Sequence, residues 1–246
     1  PPGTWNVSGT VTLPGGARGL IMQGTIRYTG TAPTSVLVLG DGGTIRNAEK
    51  LYTGLNVIRQ TISDWSSEAD IGITVRNVDA SQIELRRVEG FTIGMRTLGD
   101  GRGVEDSTFT LGRIVNNRIG LDIWCATATA WNTSVRYYGG HFAHATGVNA
   151  SQDRFGIRLG NEPGAYTNHY RHVFDAPNFE PRQAGSNIAI PFLNQTSGSA
   201  IIARNMRMEA CSPMAARHTA GAQDCEYDVA WTNTYLVGID YTATAN

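Results

Sequence analysis

Two glutamates end two similar three-residue runs, and their spacing could support glycoside hydrolysis. The runs are Asn178-Phe179-Glu180 and Arg207-Met208-Glu209. If the central apolar residue of each run faces the interior, its neighbours face outward. Stacked runs then place Glu180 and Glu209 about 4.8 Å apart at Cα. Two carboxylates that close repel each other, which raises one apparent pKa and supplies an acid beside a base. This separation suits a retaining glycosidase (~5–5.5 Å between carboxyls) better than an inverting one.

Two other interpretations of these residues stay open. In the first, Glu180 simply pairs with Arg207 or Arg182 on a solvated sheet face. In the second, the protein is a lyase, which needs a base to remove the proton α to a uronate carboxylate and a cation to hold that carboxylate. The candidates for those two roles are Tyr137, Tyr138, His141, His169, Tyr170, Arg171 and His172.

A further set of side chains is predicted to bind a saccharide without reacting. Aromatic rings on a β face stack on sugar rings, which gives this role to Trp131, Tyr137 and Tyr138. His141 and Arg207 are assigned to substrate binding because they occupy the outward positions beside the two carboxylates.

A recurring five-residue strand must position these residues. It occurs at 71–75, 91–95, 119–123, 155–159 and 186–190, with apolar residues at positions 1, 3 and 5. Such alternation is typical of a half-buried strand, and recurrence every 20–50 residues is typical of stacked repeats. We therefore predict that all five lie in one parallel sheet. At the fourth position of this strand, Asp122 and Arg158 are expected to form a structural ion pair on adjacent coils.

Each repeat holds two more short strands. Second runs begin at Gln82, Thr108, Ser134 and Ala200, and third runs are 87–89, 113–115, 141–143, 178–180 and 207–209. Three strands per repeat, separated by turn residues, describe one coil of a parallel β-helix. A β-sandwich does not explain the repetition of the third run. No sustained 3.6-residue apolar period predicts helices.

Composition excludes several classes of function. Charged residues make up 17% and the net charge is −1, so bulk electrostatics recruits neither nucleic acid nor an anionic membrane. No apolar run approaches the ~18 residues that span a bilayer. The three cysteines (Cys125, Cys211 and Cys225) show no zinc-type spacing and are expected to be idle thiols, with no metal and no cofactor. The missing initiator methionine suggests a fragment or a matured chain.

The chain divides into three predicted segments of one domain. Residues 1–52 would form the first, N-terminal coils, and residues 53–212 the central coils. Residues 213–246 would form an irregular last coil and a C-terminal segment.

Several motifs resemble the central repeats of phage tailspike proteins, within the pectin-lyase-like β-helix superfamily. They are T-L-G-D-G-x-G (97–103), L-G-x-I-x-N-N-x-I-G-L-D-I (111–123) and W-N-T-S-V-R-Y-Y-G-G-H-F (131–142). The resemblance covers roughly residues 50–212. It implies an all-β fold, a single-stranded right-handed parallel β-helix with long loops on one side. The family often has an acidic residue in the Trp-Asn-x-x loop, where this chain has Thr133.

The resemblance also implies a function. Tailspikes are commonly homotrimers on the virion tail that bind, and often cleave, a host capsule, O-antigen or exopolysaccharide by hydrolysis or β-elimination. A non-catalytic receptor-binding or structural spike is the alternative, and a bacterial polysaccharide lyase or epimerase is a further one. Outward apolar side chains, assigned to Val135, Tyr137 and Tyr170, favour a trimer.

The saccharide groove is predicted to follow the stacked third runs. The loops 125–133 and 160–168 would wall it, because the repeat lengthens there. These loops would bring Trp124, Trp131, Glu162 and Tyr166 toward Tyr138, His141 and the two glutamates.

Overall fold

The computed structural model describes residues 3–40, 47–145, 147–149, 151–161, 169–182, 187–196, 199–219, 224–233 and 238–241. Within these ranges all regular secondary structure is β-strand, in strands numbered β1 to β24 along the chain. Every strand pairing is parallel. The predicted all-β class is confirmed.

Two sheets contain all of these strands. The nine-stranded sheet consists of β2 (Val11–Leu13), β5 (Ser35–Leu39), β8 (Ile71–Arg76), β11 (Ile93–Gly99), β14 (Ile119–Cys125), β17 (Arg154–Asn161), β20 (Ala189–Asn194), β22 (Ala216–His218) and β24 (Ile239–Tyr241). The fifteen-stranded sheet consists of β1 (Thr4–Val7), β3 (Gly19–Ile21), β4 (Thr25–Tyr28), β6 (Asn47–Ala48), β7 (Leu51–Arg59), β9 (Val78–Asp79), β10 (Gln82–Glu89), β12 (Gly103–Glu105), β13 (Thr108–Val115), β15 (Trp131–Thr133), β16 (Arg136–Ala143), β18 (His169–Asp175), β19 (Asn178–Glu180), β21 (Ser199–Met208) and β23 (Glu226–Thr232).

Neighbouring strands are mostly three apart in chain order. The nine-stranded sheet runs β2-β5-β8-β11-β14-β17-β20, and the fifteen-stranded sheet contains β4-β7-β10-β13-β16-β19 and β18-β15-β12-β9-β6. The chain therefore visits three faces in turn and returns to each face one layer further on. This arrangement is consistent with a parallel β-helix, in which we call each circuit a coil.

The interior is built from columns of like residues. The ring centroids of Phe109 and Tyr137 are 5.1 Å apart, and those of Tyr137 and Phe174 are 4.7 Å apart. In a second column, Phe142 stacks on Phe179 at 5.0 Å. All five side chains are buried. Since equal positions on successive coils meet, apolar residues that recur once per coil produce a continuous core.

The five recurring strands lie in one parallel sheet, as predicted, but with two errors of register. Ile93, not Phe91, pairs with Ile71 and Ile119, and Ala189 pairs with Arg154. The predicted strand at 186–190 is thus four residues early, and Ser186 lies outside the described residues. Both shifts are even numbers of residues, so inward and outward faces keep their identity.

The third runs pair in the predicted register throughout. His141, Asn178 and Arg207 are successive partners, as are Phe142, Phe179 and Met208. In four coils the second and third runs form one continuous strand, in β10, β13, β16 and β21. Gly139 and Gly140, with φ of 69° and 100°, provide a bend in β16.

Both sheets continue across residues 52 and 212, and the division of the chain into three segments stays a prediction. Within the described ranges there is no helix long and apolar enough to cross a membrane.

Candidate functional site

The outward side of the third runs, here called the third-run face, brings together four of the predicted site residues: His141, Glu180, Arg207 and Glu209. His141 of β16 pairs with Asn178 of β19, and Ala143 pairs with Glu180. The Nε2 atom of His141 lies 3.5 Å from Oε1 of Glu180. Both side chains retain access to solvent, with exposed fractions of 37% and 19%. An imidazole and a carboxylate therefore meet at an open surface.

Glu209 lies on the coil that follows Glu180. It comes one residue after Met208, the partner of Phe179, and its backbone N–H donates to the Phe179 carbonyl at 2.7 Å. Nη2 of Arg207 lies 2.8 Å from Oε2 of Glu209. The predicted alternative that Glu180 pairs with Arg207 or Arg182 is wrong for this structure, because the ion-pair partner of Glu180 is His141.

Two aromatic side chains lie on the same side of the sheet. Tyr138 is 40% exposed, and its strand partners are Thr110 and Asp175. Trp231 of β23 is 46% exposed and is the partner of Arg207, whose guanidinium carbon lies 4.8 Å from the indole ring. Trp231 is not among the predicted site residues, because the segment 213–246 was predicted only as an irregular last coil and a C-terminal segment. The face thus combines carboxylates, cations and exposed rings.

Tyr137 does not belong to this face, and the prediction that Tyr137 and Val135 face outward is wrong. Tyr137 is 1% exposed and Val135 is fully buried. Tyr137 is the strand partner of Phe109, so its ring continues an inward column. Burial raises the pKa of the Tyr137 hydroxyl well above its ordinary value. This side chain cannot reach a saccharide unless the core opens.

Trp131 is held away from the third-run face. It lies on the short strand β15, whose partners are β12 and β18. Its Nε1–H donates to Oε2 of Glu105 at 2.9 Å, and its ring covers Gly103, where a Cβ would collide with the indole. Trp131 therefore has a structural contact that the sequence did not indicate.

The first of the two predicted loop walls, 125–133, is misplaced, and most of the second, 162–168, lies outside the described residues. Only residues 126–130 separate β14 from β15, whereas residues 144–153 separate β16 from β17. The extra chain of the 36-residue step therefore leaves at 144–153, on the far side of the third run. Glu162 and Tyr166 lie outside the described residues.

Residues 60–70, here called the strap, lie against this longer connection. Asn149 Nδ2 donates to the Ser63 carbonyl at 2.8 Å, and Gln152 Nε2 donates to the Asp64 carbonyl at 2.7 Å. The indole of Trp65 meets the imidazole of His144 edge-on at 5.6 Å. Two segments almost ninety residues apart in sequence thus form one covering layer.

The outward column of the nine-stranded sheet holds a buried charge network. The predicted Asp122–Arg158 ion pair is confirmed, with Nε of Arg158 2.7 Å from Oδ1. Arg96 occupies the position expected for Gly94, and its Nε lies 2.7 Å from Oδ2 of Asp122. Burial disfavours the Asp122 anion, but the two guanidiniums outweigh it and hold the Asp122 pKa below its ordinary value.

The network also engages Trp124 and the strap. Arg158 lies 2.8 and 2.9 Å from the two carboxylate oxygens of Glu68. The guanidinium carbons of Arg96 and Arg158 lie 5.0 and 5.2 Å from the Trp124 ring. Trp124 is thus sandwiched between arginines on the nine-stranded sheet and does not contribute to the third-run face.

In the part of the chain that the structure describes, no group of three or more His, Cys, Asp or Glu side chains is placed to hold a metal ion. The cysteines in this part are free thiols, and burial raises the pKa of Cys125 to about 12.

Comparison with known proteins leaves the family of this chain unassigned. The chain matches no protein-family model and no curated protein. A solved structure that it resembles is ORF18 of Geobacillus virus E2, at 12% identity and a TM-score of 0.40. The match covers 97% of this chain and 52% of that one, so the chain spans about half the length of the viral protein. A likeness this slight carries no argument about activity.

Proposed function

We propose that this chain is the right-handed β-helical part of a tailspike-type virion protein. It binds a host capsule, O-antigen or exopolysaccharide along the third-run face and hydrolyses glycosidic bonds there. The observation that carries the proposal is that Glu180 on β19 and Glu209 directly after β21 lie on adjacent coils, beside the exposed ring of Trp231, the strand partner of Arg207. Strand spacing corresponds to a Cα separation of about 4.8 Å, from which we infer a carboxyl separation close to that of a retaining pair.

The basic side chains beside the two carboxylates distinguish the roles that we assign to them. Glu209 faces Arg207, and arginine keeps its charge at every pH relevant to proteins. Glu209 is therefore assigned as the anionic nucleophile. Glu180 faces His141, and histidine is the side chain that exchanges protons near neutral pH. Glu180 is assigned as the general acid that protonates the leaving oxygen and later activates water. Tyr138 and Trp231 would stack on sugar rings to either side.

One observation favours a non-catalytic receptor-binding spike instead. Glu180 and Glu209 each have a basic side chain of the same chain as a neighbour, and the four side chains are 19% to 49% exposed. Enzymes gain from excluding water around such groups. On this alternative the same residues would provide hydrogen bonds and stacking surfaces to a bound polysaccharide, without bond cleavage.

Replacing either carboxylate tests the enzymatic assignment. We expect Glu180→Gln and Glu209→Gln each to lower turnover of the cognate polysaccharide by about two orders of magnitude or more, the usual effect of removing an acid or base. New reducing ends and absorbance at 235 nm are measured together, because hydrolysis produces the first alone and β-elimination produces both. Glu84→Gln is the matched control, since Glu84 is exposed on β10.

The outcomes separate the candidate functions. Growth of the 235 nm signal would assign β-elimination and contradict the proposed hydrolysis. Polysaccharide binding without reducing ends in the wild type would establish the receptor-binding alternative. Wild-type rates in both glutamine variants would place the chemistry elsewhere in the protein.

We also propose that the protein assembles as a homotrimer. Although Val135 and Tyr137 are buried, Ile21 is 70% exposed and Leu51 is 45% exposed on the paired strands β3 and β7, and such large apolar groups favour a covered surface. Light scattering at micromolar concentration is expected to give three times the 26.5 kDa of one chain. A monomer mass would contradict the assembly and would leave the saccharide site untouched.

A further inference from the structure

A groove runs along one corner of the β-helix, at a turn that recurs once per coil and that precedes β10, β13 and the strand β16 but lies inside β18 and β21. At this corner one residue per coil adopts a left-handed backbone conformation, with φ between 44° and 58°. These residues are Ala80, Asp106, Ser134, Arg171 and Ala200. The next residue in each coil is buried, and the one after it faces outward again. The left-handed residues form one outward column, and the residues two positions later form another. These two columns, here called the lips, flank the groove.

Adjoining cavities occupy this corner groove. The largest has a volume of about 610 Å³ and lies between Asp106, Ser134 and Arg171 on one lip and Thr108, Arg136 and Val173 on the other. A second, of about 390 Å³, shares Ser134 and Arg171 with it and extends to Tyr170. Single cavities of 300–1,000 Å³ are typical of small-ligand sites, and a row of them suits a chain of sugar units.

The two arginines of the groove lie on opposite lips and on successive coils. Arg136 is the strand partner of Val173, which follows Arg171 by two residues. Within the described ranges, neither guanidinium has an ion-pair or hydrogen-bond partner. By contrast, Arg87, Arg96 and Arg207 are each paired with a carboxylate. An unpaired guanidinium presents five donors in the planar arrangement that matches a carboxylate.

The remaining lining fits the body of a sugar. The hydroxyls of Thr108 and Ser134 can exchange hydrogen bonds with ring hydroxyls, and Val173 and Ile202 present half-buried apolar surface. Tyr170 is 40% exposed at the adjoining cavity, so its ring is free to stack. Asp106 is the one carboxylate at the largest cavity, and it would repel a doubly charged phosphate more than a singly charged carboxylate.

We propose that the corner groove is a second saccharide site, which binds an acidic polysaccharide through the carboxylate of a uronic acid-type unit. Arg136 and Arg171 hold the carboxylate from the two lips, and Tyr170 stacks on the neighbouring ring. The choice of a polysaccharide as the ligand rests on the proposed function, but the site does not depend on hydrolysis by Glu180 and Glu209. It faces a different part of the coil from the third-run face.

Binding of short acidic oligosaccharides to the whole chain tests this site. The probes are hexasaccharides of galacturonate, mannuronate and hyaluronan, with maltohexaose as the neutral comparison, measured by calorimetry. We expect at least one acidic probe to bind and maltohexaose to bind at least tenfold more weakly. The double variant Arg136→Ala/Arg171→Ala is expected to weaken binding of the acidic probe at least tenfold. Thermal unfolding monitored by circular dichroism checks that each variant is folded.

The matched control is Arg86→Ala/Arg102→Ala, which removes the same charge from two exposed arginines outside the groove and outside the third runs. The control should bind like the wild type. Equal losses of binding affinity in both double variants would show that only the total charge matters and would contradict the proposed site. Failure of every acidic probe to bind would contradict it as well. Competition by inorganic phosphate at low millimolar concentration would overturn the carboxylate assignment.

This outcome is distinguishable from that of the hydrolysis proposal. Glu180→Gln should leave binding of the acidic probe unchanged if the groove is the binding site. If Glu180→Gln weakens binding of the probe as strongly as Arg136→Ala/Arg171→Ala does, the probe occupies the third-run face and the groove is not its site.

Discussion

Replacing Asp122 by alanine is expected to lower the free energy of unfolding by about 3–5 kcal/mol, the usual cost of removing one member of a buried ion pair. Asp122 is fully buried and accepts hydrogen bonds from Arg96 and Arg158. Without it, two guanidiniums face each other across a covered sheet with no anion between them. Urea unfolding at pH 7.5, followed by circular dichroism, measures the change.

An exposed ion pair provides the control for Asp122→Ala. Arg204 and Glu226 lie 3.9 Å apart, with exposed fractions of 54% and 60%. Glu226→Gln should change stability by less than about 1 kcal/mol, because exposed pairs contribute little. If Asp122→Ala costs no more than Glu226→Gln, the network is not a stabilising feature of this sheet.

Acid is expected to unfold the protein between about pH 5 and pH 4, through buried neutral histidines. His144, His169 and His172 are each 5% exposed or less. Burial is the main cause that lowers their pKa values, to about 3, 4 and 3 respectively. In the unfolded chain, histidine titrates near pH 6.5. Below that pH the unfolded state binds protons that the folded state does not, so stability falls as the pH falls toward 4.

The expected size of this loss is comparable to the whole stability of a domain. At 1.4 kcal/mol per pKa unit, each histidine lowers the free energy of unfolding by roughly 2–3 kcal/mol at pH 4.5. Three of them approach the 5–15 kcal/mol that separates folded from unfolded states in typical proteins. Asp122 affects stability at lower pH than the histidines do. Its pKa in the folded state is depressed, so its contribution to the free energy of unfolding is lost only below about pH 3.8.

Urea unfolding at a series of pH values between 7.5 and 4.5 checks this expectation. His172→Leu removes one titrating group from the core and should flatten the dependence of stability on pH. Phe174→Leu provides the control, because Phe174 is buried beside His172 and does not titrate, and this variant should keep the wild-type slope. A stability that stays constant from pH 7.5 to pH 5 would contradict the prediction.

The sequence predicted the coil and its register where the apolar pattern is strict. Phe142, Phe179 and Met208 recur once per coil with polar neighbours, and their pairing follows the prediction. The register error at Phe91 arises because Phe91 and Ile93 both fit an inward position. Period-2 alternation cannot distinguish shifts of two residues.

The candidate site could be predicted only in part. Tyr137 was misassigned as a surface aromatic, although its alignment with Phe109 and Ile83 places it in an inward column. The aromatic type of Tyr137 suggests sugar stacking, whereas the apolar alternation of its strand predicts an inward position. The Glu68–Arg158 contact joins residues 90 positions apart, and no local pattern encodes such a contact. The corner groove depends on left-handed turns at non-glycine residues, which composition does not indicate.

The strap changes how the solenoid is expected to come apart. In an ideal stacked array each layer touches only the next, so terminal layers can fray one at a time. Here Glu68, only three residues before β8, is bonded to Arg158 of β17, and three strand steps separate those strands in the sheet. A tie that spans several layers makes their opening cooperative, because no layer between them can detach while the tie holds. The middle of this molecule should therefore resist proteolysis and stretching as one block, and its ends should yield first.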